Sequence, residues 1–352
     1  MSLEDLRRGI DAIDEQIVHL LSQRAGIVER VRQEKANTER PIYDPGREAQ
    51  LLRRICEIGA DPLPLESLRL IFKEIISACR ALQSIRVAYL GPALTNTYLA
   101  ALQQFGASAE LRPCRSIQDV FDMVVRGETQ VGIVPVENSL NGVVAESYDC
   151  LVETPLLINA EAFLPIHHAL LSRATLGEIK LVYSHPQVFA QTREWLRENL
   201  PGVGQIAMTS TAAAAKQAAE EEGAAAIAPG VAAEPYGLEI LAANIEDRPD
   251  NRTRFFVIGQ DPAVRTGRDK TSIVFSTAHR AGSLHQALEP LHDHGINMTL
   301  IQSRPYRGTM WEYVFFVDFE GHVTDPTVAA ALAALREQCS TLKVLGSYPT
   351  AD

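Results

Sequence analysis

The sequence predicts three architectures in series: an all-α domain of three helices that intertwines with a second copy, a two-lobed α/β domain, and a small α+β domain. Three observations carry this. Apolar residues recur at three- and four-residue steps through the first 83 residues. From Ile85 to about residue 260, short apolar runs closed by Gly or Pro alternate with helical stretches. After residue 269 a compact β-α-β-β-α-β order closes the chain. A chain of 352 residues is long for one core and suits such a division.

The first helix covers residues 3 to about 36, about 50 Å at 1.5 Å per residue, and Pro41 is expected to end it. Its stripe runs Leu3, Leu6, Ile10, Ile13, Ile17, Leu20, Arg24, Ile27, Val31, Lys35, with the alternating steps of a coiled-coil seam. Arg24 and Lys35 put cations where apolar residues belong, and no acid shares the stripe. A buried cation without a partner costs several kcal/mol, so a small anionic ligand inside a helix bundle would answer both. A second helix over about 44–58 starts at Asp44 as cap and Pro45 in the first turn. Residues 59–64 (GADPLP) break it, and a third helix spans about 65–83. One very long and two shorter helices make a poor core alone, whereas a dimer with interlocked long helices buries the stripe.

The central region opens with the buried strand Arg86–Leu90 before Gly91-Pro92. Two stretches rhyme, Val131–Asn138 and Ala225–Gly230, each a strand running into a proline loop. Two similar lobes with a ligand cleft between them, a periplasmic-binding-like plan built on mainly parallel sheets, is the simplest reading. Residues 261–269 read as a polar, basic linker. The closing elements are strand Thr271–Ser276, helix Ser283–His294, strands Asn297–Arg304 and Tyr313–Phe319, helix Pro326–Cys339 and strand Leu342–Leu345, the ferredoxin-like order. The expected domains are 1–84, 85–262 and 269–350.

A formal net charge of -11 argues against nucleic acid and anionic membranes as partners. No apolar run approaches the roughly 20 residues of a membrane span, and the acidic start (MSLED) lacks a signal-peptide core. The five dispersed cysteines form no CxxC and fit reduced thiols. These features point to the cytoplasm. No HExxH, Walker loop or GxGxxG occurs, and His167-His168 lacks ligand spacing, so the expectation is no metal and no cofactor.

Arg7, Arg24, Lys35, Asp44, Arg47, Glu48 and Gln83 are the polar residues placed around one cavity in the helical region. Arg7 and Arg24, 17 residues apart on one helix, are too distant to grip one small molecule. An antiparallel partner helix brings Arg7 of one chain beside Arg24 of the other. Arg7, Arg47 and Glu48 also fit solvated surface charges.

At these residues the region resembles the all-helical type of chorismate mutase. The matching features are the N-terminal Leu-Arg, LLxxR at Leu20–Arg24, Lys35, the PxxDxxRE pattern at 41–48, and Gln83. The resemblance implies a unimolecular pericyclic rearrangement of the dicarboxylate chorismate to prephenate. Such a step needs the reactive conformer held and the charge growing on the breaking ether oxygen stabilised. It further implies that Arg7, from the partner subunit, and Arg24 grip carboxylates, that Lys35 and Gln83 donate to the ether oxygen, and that Glu48 holds the ring hydroxyl. Asp44 and Arg47 support them, and Cys79 stands where the family often has Ser.

The central region resembles prephenate dehydratase. The motifs are VAYLGP (87–92), VPVENS (134–139) with Gly142, LPIHH (164–168), YSHPQ (183–187), Ser210-Thr211 and NRTRF (251–255). The resemblance implies loss of the ring hydroxyl of prephenate as carbon dioxide leaves, with Thr253 assisting the departing hydroxyl. Thr95, Asn138, Ser184, Gln191, Ser210 and Thr211 would line the cleft, Glu137 and His185 would touch substrate or orient loops, and Arg254 would be structural. The loop after Gly91-Pro92 departs from the family: Leu94 replaces a glycine and is expected to lose access to positive φ, and Asn96 replaces an aromatic residue.

The C-terminal region resembles an ACT domain, an amino-acid-sensing module. Gly282-Ser283-Leu284, Asn297 and Gln302-Ser303-Arg304-Pro305 stand at the family's ligand motifs, with Gln302 in place of a glutamate. The resemblance implies phenylalanine bound at a dimer interface as inhibitor, or a purely structural dimerisation module. The whole then reads as a homodimer or higher assembly that turns chorismate into prephenate and prephenate into phenylpyruvate. Alternatives are an active mutase with a lost or arogenate-using dehydratase, and a non-catalytic amino-acid sensor.

Overall fold

The computed structural model describes residues 2–38, 43–83, 85–305 and 313–351. The front is helical as expected: α1 (Leu3–Thr38), α2 (Pro45–Ile58) and α3 (Leu65–Ala81). Asp44 caps α2 by accepting the Arg47 backbone N–H at 2.9 Å, and Pro45 takes the first turn. Pro41 lies outside the described residues. Within one chain the stripe of α1 stays uncovered, with Leu3, Ile10 and Leu20 exposed by 64%, 58% and 63%.

The central region folds as two lobes. The first holds β1 (Arg86–Leu90), α4 (Asn96–Phe105), β2 (Glu110–Cys114), α5 (Ile117–Val125), β3 (Val131–Asn138), β4 (Gly142–Val143), α6 (Ala145–Glu153) and β5 (Leu157–Pro165). The second holds β6 (Ala169–Ser172), β7 (Leu181–Ser184), α7 (Pro186–Gln191), α8 (Arg193–Asn199), β8 (Gly204–Ala207), α9 (Thr211–Glu220), β9 (Ala224–Ala228) and β10 (Glu239–Ala242). The chain then returns to the first lobe as β11 (Arg252–Gly259). The sheet orders are β2-β1-β3-β11-β5, with β4 on β3, and β10-β6-β9-β7-β8. The two rhyming stretches are β3 and β9, each third in its sheet.

The sheets are mixed rather than mainly parallel. β11 runs antiparallel to β3 and β5, and β6 antiparallel to β9 and β10. Each of these is the strand that enters from the other lobe, so it meets its neighbours head-on.

The last domain keeps the expected order: β12 (Asp269–Ser276), α10 (Ser283–Asp293), β13 (Met298–Pro305), β14 (Tyr313–Glu320), α11 (Pro326–Gln338) and β15 (Thr341–Pro349), in sheet order β13-β14-β12-β15. One face of the sheet packs Ile273, Phe275, Val317 and Phe319 under Ala287, Leu291, Ala331 and Leu335 of the two helices. The other face puts Val274, Phe316, Leu345 and Tyr348 into one core with Val134, Tyr148, Leu151 and Phe256 of the first lobe. Gly346 permits this closeness, since a Cβ there would come within 2.2 Å of the Ile158 carbonyl oxygen. The segment expected to be a linker is accordingly packed: Gln50 of α2 donates to the Arg265 carbonyl at 3.3 Å, and His322 meets the Ala263 carbonyl at 3.2 Å.

Candidate active sites

In the helical region the structure brings Arg24 and Cys79 together, with Arg24 Nη1 donating to the Cys79 sulfur. Arg24, Lys35, Asp44, Glu48 and Gln83 are half-buried, and Cys79 is buried. Glu48 accepts from Arg80 Nη2 at 3.0 Å. Burial pushes the Glu48 carboxyl above its usual range, while Arg80 opposes the rise. Arg7 and Arg47 lie exposed on the surface of the single chain, and the distance between Arg7 and Arg24 along α1 remains what the helix dictates.

The second site lies where the chain crosses between lobes. Thr253, second residue of β11, pairs with Asn138 on β3 and Leu164 on β5. Asn138 is nearly buried and saturated. Its Nδ2 donates to Thr253 Oγ1 at 3.0 Å, to Asn251 Oδ1 at 2.8 Å and to the Arg252 carbonyl at 3.2 Å. Its Oδ1 accepts from the Leu140 and Asn141 backbone N–H groups at 3.1 Å and from Asn141 Nδ2 at 2.9 Å. Because Thr253 Oγ1 is an acceptor to Asn138, its own hydrogen is directed elsewhere. Glu137 is half-buried beside it on β3.

Across the crossing, Gln191 Oε1 meets His168 Nε2 at 2.8 Å, and Glu246 takes the His168 backbone N–H at 2.9 Å and His167 Nδ1 at 2.8 Å. Burial holds the His168 imidazole below its usual pKa, so it is neutral near pH 7. Among the described residues no His, Cys, Asp and Glu group has metal-ligand geometry. His185 and Ser210 cap α7 and α9 through the Gln187 and Ala213 backbone N–H groups, and Thr211 begins α9.

Two expectations need correction. Ser184 is fully buried and donates to the Ile227 carbonyl at 2.7 Å, so it ties β7 to β9 beneath the cleft rather than lining it. Leu94 keeps the left-handed backbone, at φ 67°, despite its Cβ. Its side chain packs against the Ala169, Tyr183 and Ala228 cluster of the opposite lobe, and this burial offsets the local strain of about 1–2 kcal/mol. Thr95 next to it caps α4, accepting from Tyr98 N–H and donating to the Pro92 carbonyl at 3.0 Å.

In the last domain, Gly282 (φ 81°) opens α10, Ser283 Oγ lies 3.2 Å from Thr277 Oγ1, and Leu284 packs on the domain core. Asn297 donates to Glu320 at 3.2 Å, and Gln302 Nε2 to the Ser303 carbonyl at 3.2 Å. Ser276 and Arg304 both pair with Val314, so the loop after β12 and the 302–305 stretch share one end of the sheet. Ser303 and Pro305 are exposed. Arg304 instead reaches the first lobe, contacting Asp149 at 3.1 Å and the Ala145 carbonyl at 2.5 Å on α6.

Three family models match in chain order: chorismate mutase type II over residues 6–84, prephenate dehydratase over 87–263, and ACT domain over 271–337. A bifunctional chorismate mutase/prephenate dehydratase from Aquifex aeolicus is 46% identical over 355 residues, covering 99% of this chain and 98% of the relative. The chain belongs to the bifunctional chorismate mutase/prephenate dehydratase family. Two solved structures are similar over the dehydratase and ACT regions. A prephenate dehydratase from Arthrobacter aurescens in complex with L-Phe is 36% identical with TM-score 0.70, covering 75% of this chain and 90% of that one. GqqA, described as a novel type of quorum-quenching acylase, is 31% identical with TM-score 0.69, covering 76% and 98%.

In the helical region the sequence reading missed Arg80. It is nearly buried, paired to Glu48, donating to the Phe105 carbonyl at 3.4 Å, and lying over the Tyr43 and Phe105 rings at 5.8 and 5.4 Å. A signal existed: Arg80 follows Ile76 by four residues on the buried face of α3, a cation on an apolar stripe like Arg24. Also missed was a buried charge network where the dehydratase and ACT regions meet. Arg254 donates to Glu161 Oε2 at 2.7 Å, to Asp318 Oδ2 at 2.7 Å and to Tyr348 OH at 3.2 Å. Asp318 interrupts an otherwise apolar strand run, which was its sequence signal.

Proposed function

We propose that this chain converts chorismate to prephenate in its helical region and prephenate to phenylpyruvate in its two-lobed region, with phenylalanine acting on the ACT region. The observation that carries the reading is the Asn138–Thr253 pair at the crossing between lobes. A hydroxyl whose oxygen is already engaged presents its hydrogen to a departing hydroxyl, while the two lobes exclude water. In the balanced step, the bond to the ring carboxylate breaks and its electron pair enters the ring. The carbon–oxygen bond opposite breaks in turn and its electron pair leaves with the oxygen as hydroxide, hydrogen-bonded by Thr253, which becomes water by taking a proton from solvent on release. Glu137, Gln191, Ser210 and Thr211 border this cleft, and Thr95 shapes its rim.

For the first reaction the reading places Arg24, Lys35, Gln83, Glu48, Asp44, Arg47 and Cys79 around chorismate, completed by Arg7 of the partner subunit. Its support is the exposed stripe of α1 and the open apolar concavity between α1 and α3, lined by Leu21, Ala25, Ile71, Ile75 and Leu82. A second copy of the helix covers both. The ether oxygen gathers negative charge as the ring rearranges, and Lys35 and Gln83 stabilise it with no proton transfer. The dimer, the phenylalanine site around Gly282–Leu284 and Gln302–Pro305, and a cytoplasmic location belong to this reading. No described helix is long and apolar enough to cross a membrane.

The arogenate-using or lost dehydratase had rested on the altered 93–98 loop. Leu94 keeps the left-handed turn, which favours the prephenate reading, while Asn96 still stands in place of an aromatic residue. The test is product analysis from chorismate and from prephenate with two variants. Thr253→Ala should stop phenylpyruvate formation and leave prephenate formation intact; Arg24→Ala should do the reverse. Equal loss of both activities in either variant would reject the division.

A further inference from the structure

We propose that Arg254, clamped by Asp318 and Tyr348 of the ACT sheet, is a positioning residue for Thr253, so that the ACT domain is a working part of the dehydratase site. The inference rests on the reading of Thr253 given above.

Along β11 the side chains alternate between faces. Phe255 and Val257 join the core of the first lobe on one side, whereas Phe256 and Ile258 join the core shared with the ACT sheet on the other. Arg254 falls on the ACT side, directly after Thr253. The pairing of β11 with β3 slips between Arg254 and Phe255, where the β3 partner jumps from Glu137 to Pro135. A bulge relaxes the ladder that would otherwise fix the strand, and bulges re-aim the side chains beside them. On the other side β11 pairs regularly with β5 from Arg252 to Val257, so the ladder holds the backbone at Thr253 from β5 while side chains steady it where β3 slips. The Asn138 hydrogen bond holds it from one side and Arg254 from the other.

Arg254 is held from three strands. Glu161 on β5 takes Nε and Nη2 at 3.0 and 2.7 Å, and Asp318 on β14 takes Nη1 at 2.7 Å. Tyr348 on β15 accepts at 3.2 Å. The ring of Phe256 lies 4.6 Å below the guanidinium carbon. These partners are fixed in turn: Ser272 bonds Asp318 at 2.6 Å and Tyr348 at 2.7 Å, and Lys270 pairs with Glu161 at 2.8 Å. All the groups are buried or nearly so, and a guanidinium fork held on several sides fixes direction as well as position. Two of its three anchors, and the serine that orients them, come from the ACT region. Arg304 fastens the same sheet to α6, which follows the loop that Asn138 organises.

The experiment compares Asp318→Asn, Asp318→Glu, Tyr348→Phe and Thr253→Ala in the full chain. Prephenate dehydration and chorismate mutation are both measured, with thermal unfolding as the check on folding. The expected result for Asp318→Asn is a fall in dehydratase kcat of about 10- to 100-fold, the scale of a displacement near 1 Å at a reacting group. KM for prephenate should stay within about 2-fold, because the lost contact serves the transition state rather than binding. Mutase turnover should not change. Asp318→Glu should restore part of kcat, and Tyr348→Phe should give a smaller fall in the same parameter. A folded Asp318→Asn enzyme with ordinary kcat, beside an inactive Thr253→Ala, would overturn the coupling and leave the role of Thr253 standing. An active Thr253→Ala would overturn the underlying reading instead. Should Asp318→Asn not fold, unchanged kcat in Tyr348→Phe and Asp318→Glu alike would overturn the coupling.

Discussion

Replacing Arg80 by Met tests how the mutase region leans on the dehydratase region. Arg80 and Glu48 pair at 3.0 Å with side chains only 10% and 22% exposed. Removing one member of a buried pair costs about 3–5 kcal/mol when the survivor stays charged. The partial exposure of Glu48 puts the expected loss at the low end, about 3 kcal/mol. Two ring contacts of the cation, worth about 0.5–1 kcal/mol each, are partly kept by the Met side chain. The groups facing Glu48 are Arg80 on α3, Asp44 before α2, and Lys35 and Arg24 on α1. Burial already raises the Glu48 pKa, and without Arg80 it rises further.

The sign follows from proton binding. Between the unfolded pKa near 4.5 and the raised folded value, the native state holds more protons than the unfolded one, so stability falls as pH rises. Arg80→Met should therefore be hurt most where the buried carboxylate is forced to stay charged. At about 4 °C or more per kcal/mol for a domain of 60–100 residues, the first unfolding transition should drop by about 12 °C at pH 8 and by clearly less at pH 5. Differential scanning calorimetry of both proteins at the two pH values measures this. Chorismate KM should rise with kcat nearly unchanged, since Glu48 is read as a binding group. An equal drop at both pH values, or an unchanged KM, would refute the assignment of Arg80 as the holder of Glu48.

Gln83 donates as an amide at every pH, so mutase turnover should be flat from about pH 6 to pH 9. Gln83→Glu should acquire a rate that falls as pH rises, because only the protonated acid donates; a stopped pH profile of chorismate loss checks both. Leu94→Gly removes the strained left-handed leucine and its contact across the lobes together. Stability should change by less than about 1 kcal/mol, since the strain relieved and the burial lost are of similar size. KM for prephenate should rise by roughly 3-fold or more, the loosened lobes costing binding rather than turnover. Urea unfolding and dehydratase kinetics measure these, and an unchanged KM would remove Leu94 from the description of the cleft.

One rule, that a charge on an apolar stripe needs an explanation, points to Arg24 and applies equally to Arg80 and Asp318. The exception is plainest in the first helix, where ten slots stand in a row. In α3 and β14 the stripe is shorter, and one charge does not stand out against so few neighbours. Element order was legible because each local period has one cause: 3.6 for a half-buried helix and 2 for a half-buried strand. Strand direction is not, since a strand entering from the opposite lobe has the same alternation as one entering from its own, so a mainly parallel plan is expected where β6 and β11 run antiparallel. Ser184 was misplaced for a related reason. Period and motif locate a hydroxyl at a strand end, but whether it faces the cleft or the Ile227 carbonyl depends on how β9 lies beside β7. The linker failed on composition: Asp261 to Asp269 is polar and basic, yet those groups meet partners on α2 and the ACT loops that lie far off in sequence. Leu94 shows the same limit for backbone. The glycine rule prices only the local Cβ clash, and a side chain gripped by the opposite lobe can outweigh it. What the sequence conceals is the second partner of a contact, and several of those partners lie across domain boundaries: Phe105 for Arg80, Asp318 for Arg254, Asp149 for Arg304.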